Sequence, residues 1–347
     1  MNPRERELEA PHRRLEPGPR ILEKAVVAGY RGASRLLGIL PPGPSRVVLA
    51  RLSQASYVLW PTKRRWSNRN FGHVLGLPPN DPRVRKLALA AYAEYGRYLV
   101  ELMRLPSRRP GEIDRLAGDI DASGVMAHLA GSTGGLILAA GHVGNNEAVA
   151  ASIARHGMPI SVVADDSSFP ELFELLRRQR EAWGIKVIAW RNLRGIFGVL
   201  RKREMFALLV DWGYRADGIP VQLFGAWTAL PAGPATLAAK TGSHILSITI
   251  GRRPDGTFGV SWQEPIVVAS SDPAELQRAT QAMADELAAT IRRAPEQWYS
   301  FKPMWPASAA EAADLERRGR VMQAGRPDPG PSRGRPRDEA EMAVEGA

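Results

Sequence analysis

Gly135-Leu-Ile-Leu-Ala-Ala-Gly-His-Val-Gly-Asn-Asn-Glu147 is the stretch that decides the fold. Residues 136–140 form a short continuous apolar run, the pattern of a strand covered on both faces. Gly141 and Gly144 bracket a turn, where a chain leaving a strand needs unusual dihedrals or close backbone approach. Asn145 and Asn146 are good helix N-caps, and residues 148–154 continue in helix-compatible types. The pattern puts His142 at the carboxyl end of a strand and Glu147 in or near the first helical turn. Open α/β sheets do their chemistry in the crevice at that edge.

On one continuous helix, residues five apart point about 140° away from each other. Across a turn, the Glu147 carboxylate can swing back and accept a hydrogen bond from one nitrogen of His142. That bond fixes the tautomer and leaves the other nitrogen free to take a proton. Such a pair is the base-plus-orienter half of a triad, with no protein nucleophile beside it. The acceptor's own hydroxyl then serves as nucleophile. A histidine capping a helix, with a glutamate placed favourably at a helix amino end, accounts equally well for the spacing.

The 347 residues are enough for a sizeable core, in one large domain or two smaller ones. Lys and Arg number 47 against 36 Asp and Glu, a net charge of +11 that favours anionic partners such as nucleic acid, an anionic membrane or phosphate-bearing substrates. With no cysteine, disulfides, Cys-ligated zinc and a thiolate nucleophile are excluded. No stretch reaches the eighteen or so apolar residues of a membrane span, and no secretory signal is visible. Residues 1–20 are charged and proline-bearing and read as disordered. Residues 21–40 alternate apolar side chains with Glu23, Lys24, Arg31 and Arg35, which suits an amphipathic helix at a membrane interface or one packed on the protein's own core.

Pro41, Pro42 and Pro44 end that helix, and residues 47–59 are again apolar and periodic. Trp60-Pro-Thr-Lys-Arg-Arg-Trp66 sets two indoles around a basic run, as in an interfacial belt, although a charged loop between core tryptophans fits too. Asp81 caps and Pro82 opens a long helix through Leu102, whose Tyr92, Tyr95 and Tyr98 read as packing residues. From residue 135 strands and helices alternate. Strands are expected at 136–140, 160–164, 186–190 and 205–210, with helices at 170–183 and 193–202 between them. This order implies a mainly parallel sheet with helices on both faces. Further strands are expected at 220–224, 245–250, 258–262 and 266–269, with a helix near 234–241 and a long one over 272–293. Residues 307–347 read as a short helix fraying into a disordered tail.

There is no G-x-S-x-G elbow, P-loop, G-x-G-x-x-G or H-E-x-x-H. His12 sits in the charged N-terminal tail, and His73, His128, His156 and His244 lack clustered acidic neighbours at ligand spacing, so structural roles are expected for them and no metal site.

With its surroundings, Gly141-His-Val-Gly-Asn-Asn-Glu147 resembles the H-x4-D/E motif of glycerolipid and lipid A type acyltransferases. Further blocks follow in that family's order: Asn68-Arg-Asn70; Leu209-Val-Asp211 with Val221-Gln-Leu-Phe-Gly225; Pro231-Ala-Gly-Pro-Ala-Thr-Leu-Ala238 with Thr241-Gly242; and Pro295-Glu-Gln-Trp-Tyr-Ser-Phe-Lys-Pro-Met-Trp305. The resemblance spans about residues 45–306 and is nearest to the branch holding the lipid A secondary and phosphatidylinositol mannoside acyltransferases. Asn146 stands where that family usually has tryptophan.

The resemblance implies a single α/β domain over residues 21–306, with 21–66 as a helical membrane-contact region. It implies a peripheral or monotopic enzyme on the cytoplasmic face of the bacterial cell membrane, moving a fatty acyl group from acyl-CoA or acyl carrier protein to a hydroxyl of a membrane glycolipid or phospholipid. His142 would be the general base oriented by Glu147, with no acyl-enzyme and no cofactor beyond the thioester co-substrate. Asp211, at a strand end, would support the pair or bind acceptor hydroxyls, unless it is a turn cap. Arg191 and Arg194 are candidates for a phosphate of the acceptor or the carrier. Asn145 and Asn146 count with the substrate-binding turn, where amides of residues 143–146 would stabilise the oxyanion. The basic face around Lys63, Arg64, Arg65 and Arg69 would meet anionic membrane lipids rather than nucleic acid. The alternative is a catalytically inactive lipid-binding protein of the same fold.

Overall fold

Leu136 and Leu138 project into one hydrophobic core and Ile137 and Ala139 into another, all four buried. That double burial is why a continuous apolar run forms the central strand of a parallel sheet. The computed structural model describes residues 17–117, 132–164 and 169–325. The expectations for residues 1–16 and 326–347, and for His12 and His128, lie outside the described residues.

Among the described residues, five helices precede the sheet: α1 (Pro17–Ile39), α2 (Pro42–Leu59), α3 (Pro61–Leu75), α4 (Pro82–Arg104) and the short α5 (Pro110–Ala117). Then come β1 (Leu136–Ala140), α6 (Asn146–Arg155), β2 (Ile160–Ala164), α7 (Pro170–Glu181), β3 (Lys186–Ala189), α8 (Leu193–Arg201) and β4 (Met205–Leu209). The chain continues through β5 (Ile219–Leu223), β6 (Ala226–Leu230), α9 (Gly233–Thr241), β7 (His244–Arg252), β8 (Phe258–Trp262), α10 (Pro273–Arg293) and α11 (Ala309–Gln323). The main sheet has the order β3-β2-β4-β1-β7-β8, parallel except for β8, which pairs antiparallel to β7 at one edge. The fold is therefore the expected α/β class with helices flanking a mainly parallel sheet.

Two departures concern the later strands. β5 and β6 form a separate antiparallel pair, joined by Phe224 and Gly225 with φ of 51° and 77°. Two successive left-handed residues make the type I′ turn that matches strand twist, so residues 226–230 return as a strand where none was expected. Residues 266–269 form no strand; Ile266 makes only an isolated bridge to Ile245.

The N-terminal helices resolve the choice between core and surface by doing both. Glu23, Val27 and Leu37 of α1 are buried, while Ile21, Leu22, Leu36 and Ile39 are exposed. Glu23 Oε1 accepts from the amide of Glu171 at 2.6 Å, satisfying a donor at the start of α7. On α2, Ala50 and Tyr57 face the protein, whereas Val47, Val48, Leu52, Val58 and Leu59 face outward. Pro61 starts α3, so the basic run is helical; Trp60 is exposed, and Trp66 is half-buried beneath Lys63. Among the described residues no helix is long and apolar enough to cross a membrane. Tyr92 packs against Tyr57 and Phe301, and Tyr95 and Tyr98 against Tyr299, as packing residues should.

Candidate active site

Ala140 of β1 is in register with Leu209 of β4. Each strand ends there, and two residues further on stand His142 and Asp211. The His142 Nδ1 lies 2.6 Å from Asp211 Oδ1, and the His142 backbone amide donates to both carboxylate oxygens at 3.0 and 2.9 Å. Trp298, fully buried, donates its indole N–H to Asp211 Oδ2 at 2.7 Å. Burial alone would raise the Asp211 carboxyl, but the His142 charge, its two kinds of hydrogen bond and the Trp298 donor outweigh this and hold it below its ordinary value. An ionised Asp211 accepts the Nδ1 proton, which leaves Nε2 of His142 as a free acceptor. The imidazole side chain keeps 23% of its surface exposed, so that nitrogen can meet a substrate.

The turn that carries His142 is fixed from several sides. A Cβ on Gly141 would sit 2.6 Å from Leu287 Cδ1, so any larger residue would push the Leu287 side chain aside, while Asp211 Oδ2 would remain in ordinary contact at 3.4 Å. Gly144 has φ of +68° and lies directly against the Ile250 carbonyl. Its amide donates to the Gln297 carbonyl at 3.3 Å, and the His142 carbonyl accepts from Tyr299 N at 2.8 Å. Asn145, buried, caps α6 by accepting from Ala148 N at 3.0 Å and donates to Glu101 Oε2 at 3.3 Å. Glu101 is wholly buried and also takes Arg252 and, at 3.2 Å, Arg46. These bonds occupy both ends of the Asn145 amide. Asn146 is half-buried and donates to the Gly141 carbonyl at 3.0 Å.

The bond expected between Glu147 and His142 is not the one formed. Asn146 already begins α6, so Glu147 is committed to the first helical turn and points toward α7. There it accepts from Arg180 Nε at 3.1 and 3.0 Å and from Nη2, with both side chains about four-fifths buried. Asp211 occupies the orienting position instead, because parallel pairing of β1 with β4 sets it level with the histidine. Of the amides at residues 143–146 expected as oxyanion donors, that of Gly144 is engaged by the Gln297 carbonyl, whereas Asn146 opens α6, where helices leave their first N–H groups unpaired. Arg191 and Arg194 are exposed at the carboxyl end of β3, and the Arg191 guanidinium lies 4.9 Å from the Trp190 ring centre. β3 is three strands from β1, roughly 14 Å at the usual strand spacing. They share the histidine's edge of the sheet but stand apart from its imidazole. Trp298, Arg180 and Glu101 were not singled out from sequence as site residues; only the Pro295–Trp305 block signalled the first.

Between the sheet and helices α6 and α7 lies a cavity of about 120 Å³. Leu138, Ile153, Ile160, Ala207 and Ile248 make its walls apolar, and Asn146, Glu147 and Arg180 line it as well. Among the described residues no three His, Asp or Glu side chains gather as a metal-binding group.

A histidine–aspartate pair at the carboxyl edge of a parallel sheet, beside an apolar cavity, is a site suited to general-base chemistry on a bound substrate. The chain belongs to the bacterial lipid A biosynthesis acyltransferase family, whose model matches residues 17–306. It is an acyltransferase. Among its relatives are the phosphatidylinositol mannoside acyltransferase of Mycolicibacterium smegmatis, 28% identical over 298 residues (84% of this chain, 94% of the relative), and that of Mycobacterium tuberculosis, 31% identical over 265 residues (73% and 80%).

Proposed function

We propose that the protein transfers a fatty acyl group from a thioester, acyl-CoA or acyl carrier protein, to a hydroxyl of a membrane glycolipid at the cytoplasmic surface of the membrane. The relatives' names support the acceptor class. The observation that carries the chemistry is the 2.6 Å contact of His142 Nδ1 with the buried Asp211. With Nδ1–H committed to the carboxylate, Nε2 takes the proton of the acceptor hydroxyl as its oxygen attacks the thioester carbonyl. The C–O bond forms, and negative charge moves to the carbonyl oxygen, near the amides of Asn146 and Glu147 and the positive end of α6. Collapse breaks the C–S bond, and the imidazolium returns its proton to the departing thiolate. His142 is thus the general base and Asp211 its orienter. The Glu147–Arg180 pair holds the start of α6 in place.

The cavity under α6 suits an acyl chain, since its walls are apolar and its lining includes Asn146 of the catalytic turn. At about 120 Å³ it accepts part of a chain. The outward apolar stripes of α1 and α2, with Trp60 and the cations of α3, suit a membrane surface without a span.

The test is incubation of the full chain with palmitoyl-CoA, or palmitoyl carrier protein, and vesicles containing a glycosylated phosphatidylinositol. Mass spectrometry should find one lipid species heavier by one acyl group, with stoichiometric release of thiol. Vesicle binding without thiol release or acylated lipid would instead support the inactive lipid-binding alternative.

A further inference from the structure

Three arginines gather at the corner where α1 gives way to α2: Arg46 on α2, Arg104 at the end of α4, and Arg108 just beyond it. Arg104 Nη1 donates to the carbonyls of Leu37 and Leu40 at the end of α1, and the Ser34 hydroxyl ties α1 to the Met103 carbonyl at 2.6 Å. Arg46 lies 3.2 Å from Glu101 Oε1. Each of the three guanidiniums has a buried Nε with no hydrogen-bond partner. Arg108 is the extreme case: among the described residues its side chain makes no hydrogen bond and no ion pair.

The nearby carboxylates are already engaged. Glu101 Oε2 accepts from Arg252 Nη2 at 3.0 Å and from Asn145 at 3.3 Å, and Glu112 Oε2 accepts from the Arg109 amide at 3.2 Å. Burial and the Arg104 charge, with Arg46 adding to them, lower the Arg108 guanidinium from its ordinary value against the pull of Glu101 and Glu112. A half-buried cation short of counter-charge costs free energy, and an anion seated against it recovers that cost. The surroundings select the anion. Ile39 and Leu40, beside the Arg104 contact, and Val47 and Val48, which follow Arg46, are all exposed. Guanidinium forks match phosphate oxygens, and the exposed aliphatics suit hydrocarbon. A phosphate joined to alkyl chains uses both features, whereas a free phosphate uses only the first.

We infer that Arg46, Arg104 and Arg108 form a binding site for the phosphate of a membrane phospholipid, with its chains lying against Ile39 and Val47. The buried Glu101 stands between this corner and Asn145 of the catalytic turn, so the lipid held here anchors the protein and is not the reacting acceptor. The inference rests on the membrane reading of α1 and α2 above and deepens it from a surface to a site. Inorganic phosphate and the phosphates of CoA share the anionic chemistry, and the experiment separates them from the lipid.

Isothermal titration calorimetry of the full chain with dihexanoyl phosphatidylglycerol, kept below its micelle concentration, should show saturable binding. Arg108→Gln should weaken that binding at least about tenfold, the ratio one charge-assisted hydrogen bond carries, with Arg108→Lys intermediate. The thermal midpoint of Arg108→Gln should not fall, because no contact is lost and a half-buried charge is relieved. Inorganic phosphate and free CoA should bind more weakly than the lipid. Unchanged lipid affinity in Arg108→Gln overturns the site. An Arg108-dependent affinity for CoA equal to or above that for the lipid also overturns it, assigning the cluster to the donor. Flotation with vesicles of long-chain phosphatidylglycerol keeps the two readings apart. A chain that binds the soluble lipid but not the vesicles refutes the membrane reading and leaves the site standing. One that floats equally well with and without Arg108, and binds no soluble lipid, refutes the site alone.

Discussion

His142 and Asp211 each stand two residues beyond a paired position, Ala140 on β1 and Leu209 on β4, so the sheet itself holds imidazole and carboxylate level. Asp211→Asn keeps the shape of the side chain but removes the charge that stabilises an imidazolium and favours the Nδ1–H tautomer. The fold should survive, because an amide still occupies the space. Transfer should fall about 10²–10⁴-fold, the range of general-base effects, as read by single-turnover release of thiol. A variant with near-normal turnover would remove Asp211 from the chemistry.

Trp298 supplies the remaining side-chain donor to that carboxylate, at 2.7 Å. Trp298→Phe should cost about 1.5–3 kcal/mol, the worth of a hydrogen bond to a charged group. The pH dependence has a definite sign. Asp211 is held below its ordinary value, so its stabilising contribution is complete above the unfolded carboxyl value of about 3.9 and is lost as pH falls through the folded one. Removing the indole donor raises the folded value, and acid unfolding should begin at higher pH. Far-UV circular dichroism during acid titration checks this; an unmoved midpoint counts against the bond's role.

Glu147 and Arg180 share several hydrogen bonds while each remains about one-fifth exposed. Glu147→Gln leaves the guanidinium short of a counter-charge. Unfolding in urea should show a loss of about 2 kcal/mol, less than the roughly 3–5 of a fully buried pair. Transfer should fall less than in Asp211→Asn, because Glu147 touches α7 and not the imidazole. A larger fall in transfer than in Asp211→Asn, with stability unchanged, would return Glu147 to the orienting role.

The strands β1 to β4 were legible because each is a short run of apolar residues bounded by glycine or charge, and the helices between them because their caps and periods agree. The order of the strands was not legible, since it depends on which faces pack together. Asp211 was therefore visible as a strand-end carboxylate, whereas its contact with His142 needed the β1–β4 pairing. Glu147 drew the orienting role through proximity in sequence, a poor guide once Asn146 has started a helix. Arg180 had no local signal at all, standing 33 residues from its partner. The strand Ala226–Leu230 was missed because Phe224 takes up a left-handed conformation that its side chain does not advertise.

The outward stripe on α2 makes a prediction that does not depend on the chemistry. Val48, Leu52 and Leu59 are 54%, 60% and 80% exposed, and Trp60 beside them 60%. Burying one such side chain in an interface is worth about 1.5–3 kcal/mol, and each nearby cation adds about 1 kcal/mol on an anionic leaflet. Leu52→Asp with Leu59→Asp replaces apolar contact by repulsion on that surface while touching no buried residue. Flotation with vesicles rich in anionic phospholipid should show binding weakened at least a hundredfold, with the thermal midpoint held within a few degrees. Transfer to a lipid presented in vesicles should fall in proportion, whereas transfer to a monomeric short-chain acceptor should be retained. Undiminished vesicle binding by this double variant would mean that α2 does not face the membrane.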